Sequence, residues 1–237
     1  MFTIFPFKTD FYAKHNYPVE YVGNPLIDSV CFRPNQNQTF EEFRTMNSLP
    51  NKPIIALLAG SRKHEISACL PRMMEAASQF KDYQIVVSGA PGIDLEYYRR
   101  ILKKKCATIV FGQTYELLQQ ARAAIVNSGT ATLETALVGT PQVVVYHQSL
   151  GRLAFWMKDL IIKVEYISLV NLVSEKEVVK ELIAHLFTVS NMGNELDELL
   201  NNKTYRQNML NEYSEIRTKL GEAVAEKRAA EKMYELS

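Results

Sequence analysis

Four short stretches of this chain combine glycine or small hydroxyl residues with the point where an apolar run gives way to a helical pattern. They are Gly60-Ser61-Arg62, Ser88-Gly89-Ala90, Phe111-Gly112-Gln113 and Asn127-Ser128-Gly129-Thr130. The last carries the most chemistry. Ala123 to Val126 reads as a short buried strand, Asn127 to Thr130 as a tight turn of helix-capping residues, and Ala131 to Leu137 as the helix that follows. Unpaired N–H groups at that helix start, the positive end of its dipole and the hydroxyls of Ser128, Thr130 and Thr132 together suit a phosphate. Glu134 lies about one turn further in. Its carboxylate accepts and cannot donate, so it fits a ribose diol better than a phosphate, and anion and sugar would sit side by side. An ordinary capped helix with Glu134 at the surface satisfies the same spacing, so both readings stand.

The elements that must position these turns alternate along the chain. Pro53 to Ala59, Tyr83 to Val87, Ala107 to Phe111, Ala123 to Val126 and Gln142 to Tyr146 read as strands. Between them, Glu65 to Phe80, Asp94 to Lys104, Tyr115 to Ala121 and Ala131 to Leu137 carry helical spacing, with Gly139-Thr140-Pro141 closing the last. Strands alternating with helices imply right-handed crossovers and an α/β, Rossmann-like, doubly wound parallel sheet. Ligands of such sheets bind at the C-terminal ends of the strands, where all four turns would meet.

The flanks read differently. Phe2, Ile4 and Phe5 look like a buried strand, Lys8 to Asn16 like a short helix and Val19 to Val22 like another strand, ahead of Gly23-Asn24-Pro25 and Leu26 to Val30. Arg33 to Pro53 is polar, holds Pro34, Pro50 and Pro53, and lacks periodicity, as a linker or crossover would. Gly151 to Ile162 is strongly apolar with Arg152, Lys158 and Lys163 beside it. A core or homodimer helix and a basic-rimmed face touching a membrane surface are both open. Tyr166 to Leu172 reads as extended, Lys176 to Leu186 and Asn194 to Leu200 as helices. Tyr205, Met209, Tyr213, Ile216, Leu220 and Val224 outline an amphipathic helix.

Composition narrows the function classes. With 237 residues, 47% of them hydrophobic, the chain can bury a core. Lys+Arg 27 against Asp+Glu 26 leaves net charge +1 with no basic run, which argues against a nucleic-acid partner. Cys31, Cys69 and Cys106 are scattered without metal-site spacing and read as reduced thiols of a cytosolic protein, and the four histidines are dispersed. The apolar N-terminus lacks the basic start and sustained run of a signal peptide, so the sequons at Asn37 and Asn202 read as chance matches.

Taken together, Gly60-Ser61-Arg62-x-x-Glu65-Ile66, Ser88-Gly89-Ala90-Pro91-Gly92, Ser128-Gly129-Thr130-Ala131-Thr132-Leu133-Glu134, Pro141 to Tyr146 and Tyr166 to Leu172 stand in the order and spacing of the lipid-A-disaccharide synthases. The chain resembles that family over nearly its whole length. Two positions depart from it: Asn24, where the family usually has His, and Ala59, where it usually has Pro. The resemblance implies a B-type glycosyltransferase (GT-B). Residues 1–32 would be a remnant of its N-terminal acceptor domain, 33–52 a linker, 53–200 the nucleotide-sugar-binding domain and 201–237 a C-terminal helix. It implies UDP-2,3-diacylglucosamine as donor, 2,3-diacylglucosamine 1-phosphate as acceptor, no cofactor, no metal, and a cytoplasmic location, peripheral on the membrane.

The same resemblance suggests roles for single residues. Arg62 would meet the diphosphate of leaving UDP, because a guanidinium is permanently charged and can bond in bidentate fashion. A salt bridge to Glu65 is its competing role. Gly60, Ser61, Ser88, Gly89, Ser128, Gly129 and Thr130 would complete the donor cradle, Glu134 would take the ribose, and Asn171 would orient the donor sugar or shape the cleft. The general base would lie outside this chain. A UDP-sugar-binding module without turnover is the alternative of another class. An epimerase of the same fold is disfavoured because the motifs lack an acid and base pair.

Overall fold

The computed structural model of the chain describes residues 1–103, 107–147 and 166–235. Its first elements are β1 (Phe2–Thr3), α1 (Pro6–Lys14), β2 (Glu20–Tyr21), α2 (Pro25–Cys31) and α3 (Phe40–Met46). β1 and β2 pair in parallel. The expected strand through Ile4 and Phe5 stops at Thr3, because Pro6 occupies the first position of α1, where its fixed φ starts a helix. Ile4 is 43% exposed. Asn24 is fully buried; its side chain accepts from the amide of Leu26 at 2.9 Å, capping α2, and donates to the carbonyl of Ile4 at 2.9 Å.

The main sheet contains β3 (Ile54–Leu58), β4 (Gln84–Gly89), β5 (Thr108–Phe111), β6 (Ala121–Asn127), β7 (Gln142–Tyr146) and β8 (Glu181–Ile183). All pair in parallel, in the order β5-β4-β3-β6-β7-β8. The crossovers described are α4 (Lys63–Ala77), α5 (Leu95–Leu102), α6 (Thr114–Gln120), α7 (Thr130–Val138) and α8 (Leu169–Ser174). The expected doubly wound α/β fold is the observed one, and the order reverses between β3 and β6.

Both faces of the sheet are covered, which explains why its strands read as continuous apolar runs and not as alternating ones. Side chains of β3 divide by parity: Ile55 and Leu57 join Met73 and Met74 on one face, while Ile54, Ala56 and Leu58 join Phe43, Leu117 and Leu118 on the other. α9 (Val189–Asn201), α10 (Lys203–Leu220) and α11 (Ala225–Glu235) follow the sheet. Met209, Tyr213, Ile216 and Leu220 are buried as the amphipathic spacing predicts, but the expected single helix is two: Gly221, at φ +78°, ends α10, and Val224 falls in the break before α11.

Three further expectations give way to the structure. Residues 33–52 are not wholly irregular: α3 lies there, started by a capping box between Thr39 and Glu42 and anchored by fully buried Phe43. Lys176 to Leu186 is not a helix, because the sheet edge offered by β7 captures Glu181–Ile183 as β8 and a single 3-10 turn follows at Ala184–Leu186. Within Tyr166 to Leu172 the extended piece ends early, since Ser168 caps a helix that starts at Leu169. The apolar stretch from Gly151 to Ile162 lies outside the described residues.

Phe43 is the anchor by which α3 closes one face of the sheet. Phe43→Ala should lower unfolding free energy by roughly 4 kcal/mol, read as a shifted urea midpoint, since it leaves a large cavity in an otherwise packed layer.

Candidate functional site

A pocket of about 360 Å³ opens at the C-terminal edge of the sheet, in the crevice where strand order reverses. Four chain segments build it: the turns after β3, β4 and β6, and the N-terminus of α6. The register explains this, for parallel pairing of Leu58 with Val126 makes the turns after β3 and β6 leave the sheet side by side. The pocket brings together Gly60, Ser61, Arg62, Ser88, Gly89, Ser128, Gly129, Thr130 and Glu134. Of the turn after β5, Thr114 at the start of α6 reaches the pocket.

The turn after β3 is held by a side chain. Glu65 Oε2 accepts from the amides of Ser61 at 3.0 Å and Arg62 at 3.2 Å, while Oε1 accepts from Arg62 Nη1 at 3.2 Å. The ion pair foreseen as the competing role of Arg62 is therefore formed. Its guanidinium end still faces solvent, with 72% of the side chain exposed against 21% for Glu65. Gly60 has φ +109°, and a Cβ there would stand 2.6 Å from Glu65 Oε2 and 2.9 Å from Asn127 Nδ2. Only glycine fits between that carboxylate and that amide.

The turn after β6 is anchored by its first residues and free beyond them. Ser128 N donates to the carbonyl of Val145 at 2.8 Å, tying the turn to β7, and Ser128 Oγ reaches the carbonyl of Ile167 at 3.4 Å. Thr130 and Gly129 are exposed, and nothing lies within 4 Å of where a side chain on Gly129 would stand. The amides of Thr130 and Ala131, the first two of α7, have no acceptor within the helix and stand at the pocket with the positive end of its dipole, while that of Thr132 donates to the carbonyl of Gly129 at 3.2 Å. Thr132 departs from expectation: it is fully buried and its hydroxyl donates to the carbonyl of Gly129 at 2.8 Å, out of reach of a ligand.

Asn171 does not join the pocket. It is fully buried in α8, where its Nδ2 donates to the carbonyl of Val179 at 2.8 Å and to Glu181 Oε1 at 2.9 Å. Its Oδ1 accepts from the amides of Val178 and Val179 at 2.8 and 2.9 Å. Every polar position of that amide is used in strapping α8 to the segment leading into β8.

Thr114 and Tyr115, which carry no expected role, and Asn127, expected only as part of its turn, complete the site. Asn127 and Thr114 line it, and Ser88 Oγ lies 2.8 Å from Thr114 Oγ1, joining β4 to α6. Gly89 admits the ring of Phe111, which an added Cβ would meet at 2.3 Å. Tyr115 Oη donates to Glu134 Oε1 at 2.6 Å; burial first, and this bond second, raise the phenol's pKa above its ordinary value. Cys69 contacts Asn127 Oδ1 at 3.5 Å behind the pocket, and burial pushes its thiol up to about 11, so it stays a thiol. His64 approaches Glu65 only at 4.0 Å. A hydroxyl two residues after a turn glycine is the signal available for Thr114; the tie from Tyr115 to Glu134 spans two helices and has no local trace.

Among the described residues no group of three or more histidine, cysteine or acidic side chains is placed to hold a metal. No helix among them is long and apolar enough to cross a membrane.

A family model described as lipid-A-disaccharide synthetase matches residues 1–233. The lipid-A-disaccharide synthase of Myxococcus xanthus is 36% identical over 242 residues, covering 100% of this chain and 62% of that protein. That of Coxiella burnetii is 33% identical over 240 residues with the same shares. The chain thus spans about 62% of the length of these curated relatives. Among solved structures, UDP-GlcNAc 2-epimerase from Neisseria meningitidis bound to UDP-GlcNAc superposes with TM-score 0.61 at 16% identity, over 99% of this chain and 60% of that one. The glycosyltransferase SnogD from Streptomyces nogalater gives 0.51 at 17% identity, over 96% and 60%. At such identities these structures bear on the fold alone.

Two substitutions separate scaffold from site. Asn171→Ala should cost about 3 kcal/mol in urea denaturation, because it strands two buried amides and a carbonyl. Gly60→Ala should cost about 2 kcal/mol or more through its positive φ and the displaced Glu65 carboxylate; an unchanged midpoint would show that the turn relaxes freely.

Proposed function

Because the chain belongs to the lipid-A-disaccharide synthetase family, we propose that it is the donor-binding half of a GT-B hexosyltransferase of lipid A biosynthesis. The donor is UDP-2,3-diacylglucosamine and the acceptor 2,3-diacylglucosamine 1-phosphate. The products are lipid A disaccharide 1-phosphate and UDP. The observation that carries this reading is the pocket's polarity: a guanidinium and a helix N-terminus border it, and a carboxylate stands one turn down that helix.

In the transfer, an acceptor hydroxyl oxygen forms a bond to the anomeric carbon, its proton passing to a general base outside this chain, and the carbon–oxygen bond to UDP breaks with its electron pair leaving on the diphosphate. Charge therefore builds where Arg62 and the first amides of α7 face the pocket. The Arg62–Glu65 pair does not forbid this role. An exposed ion pair is worth about 0–1 kcal/mol, so the guanidinium exchanges Glu65 for a diphosphate at small cost. The amides of Ser61 and Arg62 are a different matter: with Glu65 accepting from both, the turn after β3 offers the ligand side chains and not its backbone. Ser61, Ser128, Gly129 and Thr130 cradle phosphate, Gly60 keeps the approach open, Ser88 and Gly89 shape the wall towards α6, and Glu134 accepts from the ribose.

A binding module without turnover on its own is the second reading. What favours it is that both carboxylates lining the pocket are engaged, Glu65 by two amides and a guanidinium and Glu134 by Tyr115. Glu65 is held in the turn it caps, and on this reading the remaining oxygen of Glu134 is given to the ribose, which leaves the pocket without a carboxylate assigned to the proton of the acceptor hydroxyl. Since both proposed substrates carry acyl chains, the chain works as a peripheral protein at the cytoplasmic membrane surface.

Calorimetry of this chain with UDP, alongside transfer assayed in the full-length protein, tests the proposal. UDP should bind, and Arg62→Ala should slow transfer about a hundredfold, the effect of losing roughly 3 kcal/mol of transition-state contact. Absence of UDP binding, or a variant with undiminished turnover, would remove the pocket or Arg62 from these roles. Transfer by the isolated chain would place a general base within it.

A further inference from the structure

We propose that Tyr115 is a positioning residue that orients the Glu134 carboxylate for a ribose diol, and so sets the pocket's preference for ribonucleotides. This rests on the reading of Glu134 as the ribose acceptor. A glutamate on an exposed helix turn has three rotatable bonds, and holding its carboxylate in one orientation costs side-chain entropy each time a ligand binds. Here that ordering is done beforehand. Tyr115 Oη occupies Oε1 at 2.6 Å, leaving Oε2 with the free acceptor positions that a diol needs.

The donor is itself rigidly carried. Tyr115 is the second residue of α6, whose first residue, Thr114, is joined to Ser88 at 2.8 Å. At the other end Gln119 Nε2 donates to the carbonyls of Gln36 and Gln38 at 2.9 and 3.1 Å, and Gln120 Nε2 donates to that of Gln38 at 2.7 Å. α6 is thus pinned at both ends, and the phenol projects from its first turn to Glu134 on α7. Burial raises the phenol's pKa, so the hydroxyl stays a donor wherever the protein is neutral or mildly alkaline.

A plain brace between α6 and α7 would use the same bond, so the test reads ribose recognition and not stability. Calorimetric affinities for UDP and for 2′,3′-dideoxyuridine diphosphate are compared in the wild-type chain, Tyr115→Phe and Glu134→Ala. Tyr115→Phe keeps the ring and should weaken UDP roughly tenfold, leaving the dideoxy ligand unchanged. Tyr115→Leu, which also removes the hydroxyl and leaves Glu134 intact, should produce the same selective loss and serves if the phenylalanine variant does not fold. Equal weakening of both ligands by Tyr115→Phe, or none, overturns the positioning role. If Glu134→Ala abolishes the discrimination while Tyr115→Phe preserves it, only Tyr115 is displaced. If Glu134→Ala also leaves the discrimination intact, or the wild-type chain binds neither ligand, the ribose reading of Glu134 falls and this inference with it.

Discussion

Everything at the site follows from one constraint: β3 and β6 are parallel neighbours and must both pass their chain to a helix at the same edge. Parallel strands buried on both faces can turn only outward beyond the sheet, so the segments after Leu58 and Asn127 compete for one small volume. The competition is resolved by Gly60, whose absent side chain admits the Glu65 carboxylate from one direction and the Asn127 amide from the other. With those two in place the turn after β3 is fixed by hydrogen bonds to its own helix, and the turn after β6 is left with its helix-start amides open. The pocket is what remains of the shared volume.

That resolution divides labour between two helix N-termini that a sequence makes look equivalent. α4 neutralises its own positive end with Glu65, a capping glutamate three residues after Arg62. α7 has no side-chain cap at Gly129. On the proposed reading an incoming anion would meet one satisfied dipole and one unsatisfied one, and the second would attract it more. Arg62 precedes the first of them and lines the same pocket as the second, so on the proposed reading its weak pairing would leave it available to a charge held there.

How much of this was legible depends on whether the deciding interaction was local. The strands and crossovers of the sheet were readable because burial on both faces forces long apolar runs, and the turns because glycine and capping residues answer to backbone geometry a few residues away. α3 is hard to read from sequence, since seven residues flanked by prolines give too little periodicity, although Thr39 and Glu42 carry a capping signature. β8 is not legible locally because Glu177, Lys180 and Glu181 favour a helix, while the open edge of β7 decides the matter from about 40 residues away in sequence. Asn171 illustrates the same limit at the site. A polar residue within an apolar motif signals a special environment without saying whether the partner is a ligand or the protein's own backbone, and here the backbone of Val178 and Val179 takes the amide. Thr132 belongs with it: a hydroxyl in the first turn of a helix faces either outward or back onto the preceding carbonyl, and burial selects the latter.

The hydrogen bonds already made also restrict how a nucleotide can lie on the proposed reading. Glu134 is four residues beyond Thr130, about 6 Å along the axis of α7, so a phosphate at the helix start and a diol at Glu134 are spaced as neighbouring parts of one nucleoside diphosphate. The tie from Tyr115 draws Glu134 towards α6, and hence towards the wall formed by Ser88, Gly89 and Thr114. Arg62 borders the pocket from α4, on the turn after β3. On that reading α7 serves both the phosphate and the diol, while Arg62 adds its charge from the other side of the β3–β6 junction. A ligand long enough to engage both spans the crevice, and it is this span, more than any one contact, that would let the pocket favour a nucleoside diphosphate over a nucleoside or a free phosphate.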